Sequence, residues 1–244
     1  MSTYYSATYD SGKVLYLLAQ ENRGFRFVNW TGDVGTVDDV NAASTEIKMK
    51  GNYSITANFE VEAAVNITDL NLEAAVREAI DILEGPIYPS DLDGLRKLDA
   101  EGKNIADLTG LEYCTGLQEL YLCRNQISNI SAVTNLTGLT RLELGDNQVS
   151  NISALAGLAS LEELSLGGNQ VSNVSALVNL RNLTLLNLSK NPISDLRPLV
   201  NNPDLSQGDR VYLYYNPVSY SLLSSSDPGN YVAQLQEKGV IVEY

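Results

Sequence analysis

The stretch Leu117-Gln-Glu-Leu120-Tyr-Leu122-Cys-Arg-Asn125-Gln126 returns 22 residues later as Leu139-Thr-Arg-Leu142-Glu-Leu144-Gly-Asp-Asn147-Gln148. The same spacing of apolar residues begins at three further leucines, so that five units follow one another along the chain. The units begin at Leu95, Leu117, Leu139, Leu161 and Leu183. A fixed period of this length indicates a repeat architecture, in which each unit needs its neighbours to bury its apolar side chains.

The apolar positions of each unit predict one short strand per unit. Positions four and six are apolar and flank a variable residue, which is the period of a strand, and further apolar residues stand at positions 11, 14 and 17. We therefore predict the α/β fold class, in the form of a solenoid. Its concave face is a parallel β-sheet, and its convex side is made of short helical, 3-10 or irregular segments. The five repeats cover residues 95–204.

Position nine of the unit carries an asparagine everywhere except in the first unit, which has Lys103. A carboxamide can satisfy both the N–H and the C=O groups that a chain leaves unpaired when it turns sharply out of a strand. We therefore prefer a structural role for this column over a catalytic one. The predicted structural ladder consists of Asn125, Asn147, Asn169, Asn191 and Asn216.

The repeat pattern resembles the leucine-rich repeats of the internalin family, whose units read Leu-x-x-Leu-x-Leu-x-x-Asn-x-Ile-x-x-Ile. The recurring Gln-Ile/Val-Ser-Asn-Ile/Val-Ser-Ala at 126–132, 148–154 and 170–176 is also typical of that family. The resemblance extends from Leu95 to about Asp204. It implies a leucine-rich-repeat solenoid from a bacterial surface or secreted protein, and it says far less about the ligand.

The segments on both sides of the repeats are predicted to cap the solenoid. Residues 62–94 form a helical N-terminal cap, with Asp69 as the helix N-cap and Gly85-Pro86 as the stop. Residues 61–94 carry a charge of −7, which we assign to a solvated helix surface, with a calcium site as the alternative. Residues 205–244 form a C-terminal cap with a sixth strand at 210–213, a short helix over 230–238 and a terminal strand at 240–242.

The first 61 residues lack the period and predict a small β-rich domain. The stretches 24–34 and 52–59, with Gly-Phe-Arg-Phe-x-x-Trp and Thr-Ala-Asn-Phe, resemble the B-repeat modules associated with internalins. Such modules typically begin with one more strand, so this domain is expected to be truncated or incomplete. We assign its aromatic residues to the core, with a carbohydrate-binding platform as the alternative. These residues are Phe25, Phe27, Trp30, Tyr53 and Phe59.

Composition excludes several functions. The 244 residues include 16 Lys and Arg and 30 Asp and Glu, a formal net charge of −14. This charge argues against nucleic acid or an anionic membrane surface as partner, because both need a basic face. The absence of histidine excludes His-based catalytic triads and His-containing metal sites. Since no pair of carboxylates is fixed across a cleft, we expect no catalytic residue, no metal and no cofactor.

The cysteines and the N-terminus carry little information about function. Cys114 and Cys123 are expected to be free thiols that point away from each other. Residues 1–5 show no signal peptide, and no apolar run reaches the length of a membrane-spanning helix, so membrane insertion is not expected. Family resemblance implies an extracellular or cell-surface location, and a cytoplasmic one stays open.

The predicted concave face carries the candidate binding residues, because positions 3, 5, 7 and 8 of each unit point out from the sheet. Tyr and Arg dominate interface hot spots, which favours those residue types there. The predicted partner-binding residues are Tyr121, Arg124, Arg141, Glu143, Glu163, Leu185, Asn187, Tyr212 and Tyr214. Gly167 and Gly168 are predicted to leave a shallow patch where the backbone of a ligand could approach.

These features together predict a non-enzymatic protein-protein interaction module that binds a protein partner on its concave face and is a monomer. The alternative is a structural or adhesive spacer of a larger cell-surface protein, which would bind nothing tightly on that face. Glycan binding is a more remote alternative. The exposed tyrosines of residues 212–215 favour the first hypothesis, because a spacer would tolerate plain polar residues there.

Overall fold

The computed structural model describes residues 7–220 and 230–244 of the chain. The first six residues, where we expect no signal peptide, and residues 221–229 of the predicted C-terminal cap lie outside the described residues. The chain divides into two units, Met1–Ala64 and Val65–Tyr244, and each has its own hydrophobic core. No helix within the described ranges is both long and apolar enough to cross a membrane.

The N-terminal unit is built from two pairs of antiparallel strands. Its strands are β1 (Val14–Leu18), β2 (Phe25–Gly32), β3 (Ser44–Lys48) and β4 (Ile55–Val61). β1 pairs with β3, and β2 pairs with β4 with a shift of register between Phe27 and Asn29. Phe27 and Trp30 lie on the covered side of β2 and form a small core with Ala19.

The aromatic residues of this unit do not all lie in its core, contrary to the prediction. Phe27 and Trp30 are buried, but 45% of Phe25 and 39% of Phe59 are exposed, and Tyr53 is half-buried. The ring of Phe59 contacts that of Phe27 at a centroid distance of 5.8 Å. A two-stranded pair has few neighbours to cover it, so the prediction of a core role is wrong for Phe25 and Phe59.

The second unit is the predicted solenoid with a parallel sheet. Among the residues that the structure describes, seven strands form this sheet in sequence order. The strands are β5 (Lys97–Asp99), β6 (Glu119–Tyr121), β7 (Arg141–Glu143), β8 (Glu163–Ser165), β9 (Leu185–Asn187), β10 (Arg210–Tyr212) and β11 (Ile241–Glu243). All pair in parallel with their neighbours. The predicted α/β solenoid is confirmed.

Short helices connect the strands along the other side of each repeat. Single turns of 3-10 helix lie at Leu111–Tyr113, Ser131–Val133, Ser153–Leu155 and Ser175–Asn179. The α-helices are α1 (Leu70–Ile80), α2 (Pro89–Leu92), α3 (Arg197–Val200), α4 (Pro217–Tyr220) and α5 (Tyr231–Glu237). The periodic apolar residues between strands and helices form one continuous core, in which most leucines have no exposed surface.

The asparagine column forms hydrogen bonds between successive coils. The Nδ2 atom of Asn147 donates to the carbonyls of Leu122 at 2.9 Å and Leu144 at 3.0 Å, and its Oδ1 atom accepts from the N–H of Ile127 at 3.0 Å. The corresponding bonds are made by Asn125, Asn169, Asn191 and Asn216. Each carboxamide thus links the backbone of its own coil to that of the coil before it.

The N-terminal cap helix α1 starts as predicted and ends earlier than predicted. Asp69 caps its first turn through the N–H groups of Asn71 and Leu72. The helix stops at Ile80, because Asp81 takes a left-handed conformation with a φ of 56°. The stop predicted at Gly85-Pro86 is therefore wrong by about one helical turn.

The early end of α1 has a local cause. The Arg77 guanidinium in the last turn donates to the carbonyls of Ile82 at 3.1 Å and Gly85 at 2.8 Å, and it pairs with Glu73 at 2.7 Å. These bonds hold the chain after Asp81 folded back along the helix. Lys103, which replaces the ladder asparagine in the first coil, reaches Glu78 on the same helix at 3.4 Å.

The C-terminal cap adds a seventh strand to the parallel sheet. The sequence predicts this terminal strand but not its place in the sheet. The terminal segment Ile241–Glu243 pairs in parallel with β10, so the face is one strand longer than expected. Helix α5 begins after Asn230, which accepts a hydrogen bond from the N–H of Ala233, and Gly239 takes a positive φ of 86° before the strand. Val232 and Leu235 of α5 are buried against the end of the core.

Candidate functional site

The outward side chains of the parallel sheet form two straight rows, because alternate residues of a strand face the same way and the strands pair in register. The first row is Lys97, Glu119, Arg141, Glu163, Leu185, Arg210 and Ile241. The second row is Asp99, Tyr121, Glu143, Ser165, Asn187, Tyr212 and Glu243. Most of these side chains are half-buried among their neighbours.

Charges alternate along the first four places of the first row and pair with one another. Lys97 Nζ lies 3.3 Å from Glu119, and Arg141 lies 2.9 Å from Glu163. Arg141 also contacts Glu143 of the second row at 3.0 Å. This half of the face is therefore a network of paired charges of both signs rather than a patch of one sign.

Tyr121 lies at the centre of this network. Its ring has Lys97 Nζ 4.7 Å from the centroid and Arg141 Cζ 5.4 Å from the centroid, both within the range of cation–π attraction. Its hydroxyl donates to Glu119 at 2.8 Å. That hydrogen bond raises the pKa of Tyr121 and, together with Lys97, lowers the pKa of Glu119. Tyr121 is thus held in one orientation from both sides.

The other half of the face has fewer charges, and in its two rows these are Arg210 and Glu243. Leu185, Asn187 and Tyr212 lie half-buried on β9 and β10. Tyr214, just after β10, donates its hydroxyl to Glu243 at 2.8 Å, and this bond raises its pKa. Aliphatic and aromatic surface is available here without breaking an ion pair.

The strands are followed by a column of residues in the left-handed backbone conformation. In the repeats and the sixth coil these are Gly102, Arg124, Asp146, Gly168, Lys190 and Tyr215, with φ between 52° and 69°. Arg124 pairs from this column with Glu101 at 2.6 Å. Arg124 is therefore separate from the Tyr121 network and lies at the edge of the face, where the strands end.

The predicted binding residues thus fall into three groups rather than one cluster. Tyr121, Arg141, Glu143 and Glu163 form the charged network. Leu185, Asn187, Tyr212 and Tyr214 are uncharged and lie in the other half, and Arg124 lies at the strand ends. That these residues bind a partner stays a prediction.

Two polar residues of structural importance were not singled out from the sequence. Glu243 holds Tyr214, and its role became visible only because β11 joins the sheet. Asn202 is fully buried after α3 and donates to the carbonyls of Leu177 at 3.1 Å and Leu180 at 3.0 Å. Asn202 stands at position 20 of the fifth unit, where the other four units carry buried apolar residues, and this departure from the pattern was the available signal.

Within the described ranges both cysteines are free, and their environments differ. Cys114 lies in the core, where burial and the neighbouring Glu112 raise its pKa to about 12. Cys123 is half-buried on the face, and burial also raises its pKa. No group of three metal-ligating side chains occurs in the described part of the chain.

Comparisons with known families match both units. Residues 2–63 match the family described as divergent InlB B-repeat domain. Residues 115–171 match a leucine rich repeat family, and residues 159–201 match one described as leucine rich repeats in two copies. None of these is an enzyme family.

Comparisons with solved structures find internalins. A crystal structure of an internalin (InlF) from Listeria monocytogenes strain 4b F2365 is 26% identical with a TM-score of 0.57, and the match covers 75% of this chain and 58% of that one. Internalin C2 (InlC2) from the same strain is 28% identical with a TM-score of 0.50, covering 71% and 92%. A search of curated protein sequences found no match.

The fold and the face define a leucine-rich-repeat solenoid, a class whose members act as protein-interaction modules. The chain is, more specifically, an internalin-like leucine-rich-repeat protein with a B-repeat domain at its N-terminal end. Its match spans 58% of the InlF structure.

Proposed function

We propose that this chain binds a protein partner through the concave face of its parallel sheet, without catalysing a reaction. The contact residues are Tyr121, Arg124, Arg141, Glu143, Glu163, Leu185, Asn187, Tyr212 and Tyr214. By resemblance to bacterial surface proteins, we place the module outside the cell or on its surface, as a monomer.

The observation that carries this proposal is the immobilisation of the side chains on the face. Tyr121 is held by a hydrogen bond and two cations, Arg141 by two carboxylates, and Tyr214 by Glu243. A side chain that is already ordered loses little rotamer entropy when a partner docks, whereas a mobile one costs about 0.5–1.5 kcal/mol. The face is therefore preorganised for binding.

The size and composition of the face also suit a protein partner. Strands β5 to β11 at ~4.8 Å spacing make a face ~29 Å long, which is about the edge of a square patch of ~800 Å², the area that one partner buries in an ordinary protein interface. Charges of both signs alternate along its first row, so the face is not a basic track for nucleic acid. Tyrosine and arginine, which dominate hot spots, occupy both halves.

The test compares the parent chain with a variant carrying Tyr121→Ala, Arg124→Ala and Tyr212→Ala. Each protein is immobilised and exposed to extracts of bacterial and host cell surfaces, and captured proteins are identified by mass spectrometry. A protein captured by the parent should be lost on the variant, with an affinity at least ~10-fold weaker when measured by calorimetry.

A matched control keeps the number of substitutions and places them outside the parallel sheet. Tyr113→Ala, Arg181→Ala and Arg197→Ala replace exposed side chains on the connecting segments. This control should capture the same protein as the parent. If the concave-face variant retains the captured protein, or if the parent captures nothing, the concave face is not a binding site and the spacer hypothesis stands.

A further inference from the structure

A shallow pocket of about 290 Å³ lies where the strands of the middle repeats end. We call it the strand-end pocket and define it by Arg124, Asp146, Gly167, Gly168, Asn187 and Lys190. It belongs to the concave side, but it is formed mainly by residues that follow the strands rather than by the two rows of the sheet. A binding role for this pocket rests on the proposed function. It adds a preference for one kind of segment in the protein partner.

Two glycines make room for polar side chains in this pocket. A Cβ atom on Gly167 would lie 3.1 Å from Asn187 Nδ2 and 3.2 Å from its Oδ1. A Cβ atom on Gly168 would collide with the carboxylate of Asp146, and Gly168 has a φ of 69°. The side chains of Asn187 and Asp146 therefore lie over the backbone of the two glycines and present their polar groups to the pocket.

Asp146 and Lys190 lie on the two sides of Gly168 and carry opposite charges. In the part of the chain that the structure describes, neither side chain forms an ion pair or a hydrogen bond. Nearby Arg124 and Arg141, in contrast, are paired with glutamates. Two strand spacings separate Asp146 from Lys190, so their backbones are ~10 Å apart. At this distance the two side chains do not form an ion pair with each other.

Asn187 supplies a hydrogen-bond donor to the same pocket. Its Oδ1 atom accepts a hydrogen bond from the N–H of Ser189 at 3.0 Å, which fixes the carboxamide. Its Nδ2 group donates to no acceptor among the described residues. The pocket thus offers a carboxylate, an amide donor and an ammonium group around the two glycines.

We infer that the strand-end pocket recognises an extended segment of the partner that carries one basic and one acidic residue, separated by two other residues. The basic side chain pairs with Asp146, the acidic one pairs with Lys190, and a backbone carbonyl between them accepts from Asn187. A polyproline-II backbone places residues i and i+3 on one face ~9 Å apart, which fits the distance between the two charges.

The test selects peptides from a random dodecapeptide pool displayed on phage against the parent chain and two single variants. Asp146→Lys leaves cations at both of the unpaired positions 146 and 190, and Lys190→Asp leaves anions at both. Lysine, arginine and aspartate already occupy this left-handed backbone position in the native chain, so both variants should fold. Asp204→Lys and Arg181→Asp make the same changes in net charge outside the pocket and serve as controls.

The parent and both controls should select peptides with one basic and one acidic residue three positions apart. Asp146→Lys should select two acidic residues, and Lys190→Asp should select two basic ones. A parent-selected peptide should bind each pocket variant at least ~10-fold more weakly, and salt should reduce this difference because the contacts are ionic.

Identical selections by the parent and by both pocket variants would overturn this inference. If those shared peptides are nevertheless lost on a variant with Tyr121→Ala and Tyr212→Ala, the concave-face function survives without the pocket. Failure of the parent to enrich any charged pair also overturns the inference, whereas the proposed function is decided separately by the captured protein.

Discussion

At the scale of single residues, the ladder asparagines contribute most clearly to the fold. Asn147 is buried with 8% of its surface exposed, and its carboxamide bonds to backbone groups of two successive coils. A buried backbone group that loses its partner keeps the full desolvation penalty. The side chain therefore stabilises the junction of two coils rather than one turn.

Replacing Asn147 with alanine should lower the free energy of unfolding by about 1–3 kcal/mol, because the buried N–H and carbonyl groups lose their partners. The control is Asn151→Ala in the same repeat. Asn151 is exposed and makes one bond, to the N–H of Ser153 at 2.9 Å, so its loss should cost clearly less. Urea unfolding followed by circular dichroism measures both, and equal losses would contradict a structural ladder.

The two cysteines should differ in reactivity in the folded protein. At neutral pH an alkylating reagent should modify Cys123 slowly, because burial raises its pKa and leaves little thiolate. Cys114 should stay unmodified, because it is fully buried with a pKa raised to about 12. In urea both should react at similar rates. Mass spectrometry of tryptic peptides reads the result, and rapid native labelling of Cys114 would contradict its placement in the core.

At the scale of elements, the cap helix α1 is joined to the first repeat by Asp69. One oxygen of this carboxylate accepts from Asn71 and Leu72 in the helix, and the other accepts from Ala106 at 2.8 Å and Asp107 at 3.2 Å. Partial burial alone would raise the pKa of Asp69, but these four N–H groups outweigh it and lower the pKa. One side chain therefore serves as N-cap and as a link to the repeats.

Asp69→Ala should lower the free energy of unfolding by about 0.5–2 kcal/mol, the usual range for the loss of an N-cap. Asp69→Asn keeps an accepting oxygen and loses the charge, so its effect at neutral pH should be smaller, about 0.3–1 kcal/mol. Thermal or urea unfolding at one pH should therefore rank the parent as most stable, Asp69→Asn as intermediate and Asp69→Ala as least stable.

The pH dependence of the Asp69→Asn difference follows from the lowered pKa. A carboxylate whose pKa is lower in the folded state stabilises the fold fully above its unfolded pKa of about 4, and the stabilisation disappears as the pH falls through the folded value. The gap between the parent and Asp69→Asn should therefore shrink below pH ~4. A gap that stays constant down to pH ~2 would mean that the charge of Asp69 contributes nothing.

At the scale of the whole molecule, the solenoid needs both ends of its core covered. The C-terminal cap contributes Val211 and Leu213 from the sixth coil, Val232 and Leu235 from α5, and Val242 from β11, all buried. Without them the apolar side chains of the fifth repeat would face water, because a repeat contacts only its neighbours. The cap therefore contributes to the stability of the whole solenoid and does not merely lengthen it.

A chain ending at Asp204 should unfold at a lower temperature and self-associate, since each buried apolar side chain of the cap contributes about 1.5–3 kcal/mol. A milder variant ending at Lys238 loses only the last strand and should be intermediate. Differential scanning calorimetry and gel filtration report the midpoint and the association state. Equal midpoints for the three chains would show that the cap is dispensable.

The sequence predicts the repeat architecture because the information is local and periodic. Leu98 and Leu120, each at position four of its unit, are buried with no exposed surface, and the strands fall at positions three to five. The candidate face follows from the same register. A 22-residue period leaves few ways to bury the apolar positions, which is why pattern alone identifies the sheet, its order and its outward residues.

Features that depend on side-chain contacts outside the repeat period were not predictable in this way. The end of α1 depends on Arg77 reaching the carbonyls of Ile82 and Gly85, and the exposure of Phe25 depends on how few strands cover β2. The attachment of β11 to the sheet joins residues 210–212 to 241–243. None of these follows from a period.

By itself, the sequence of this chain determined which residues point outward from the sheet, because side-chain direction follows from strand geometry. Only the tertiary structure decided which of them are paired. Arg141 is held by two glutamates, while Asp146 and Lys190 have no ion pair within the described residues. Pairing depends on rotamers and on separations across several strands, which no spacing along the chain specifies.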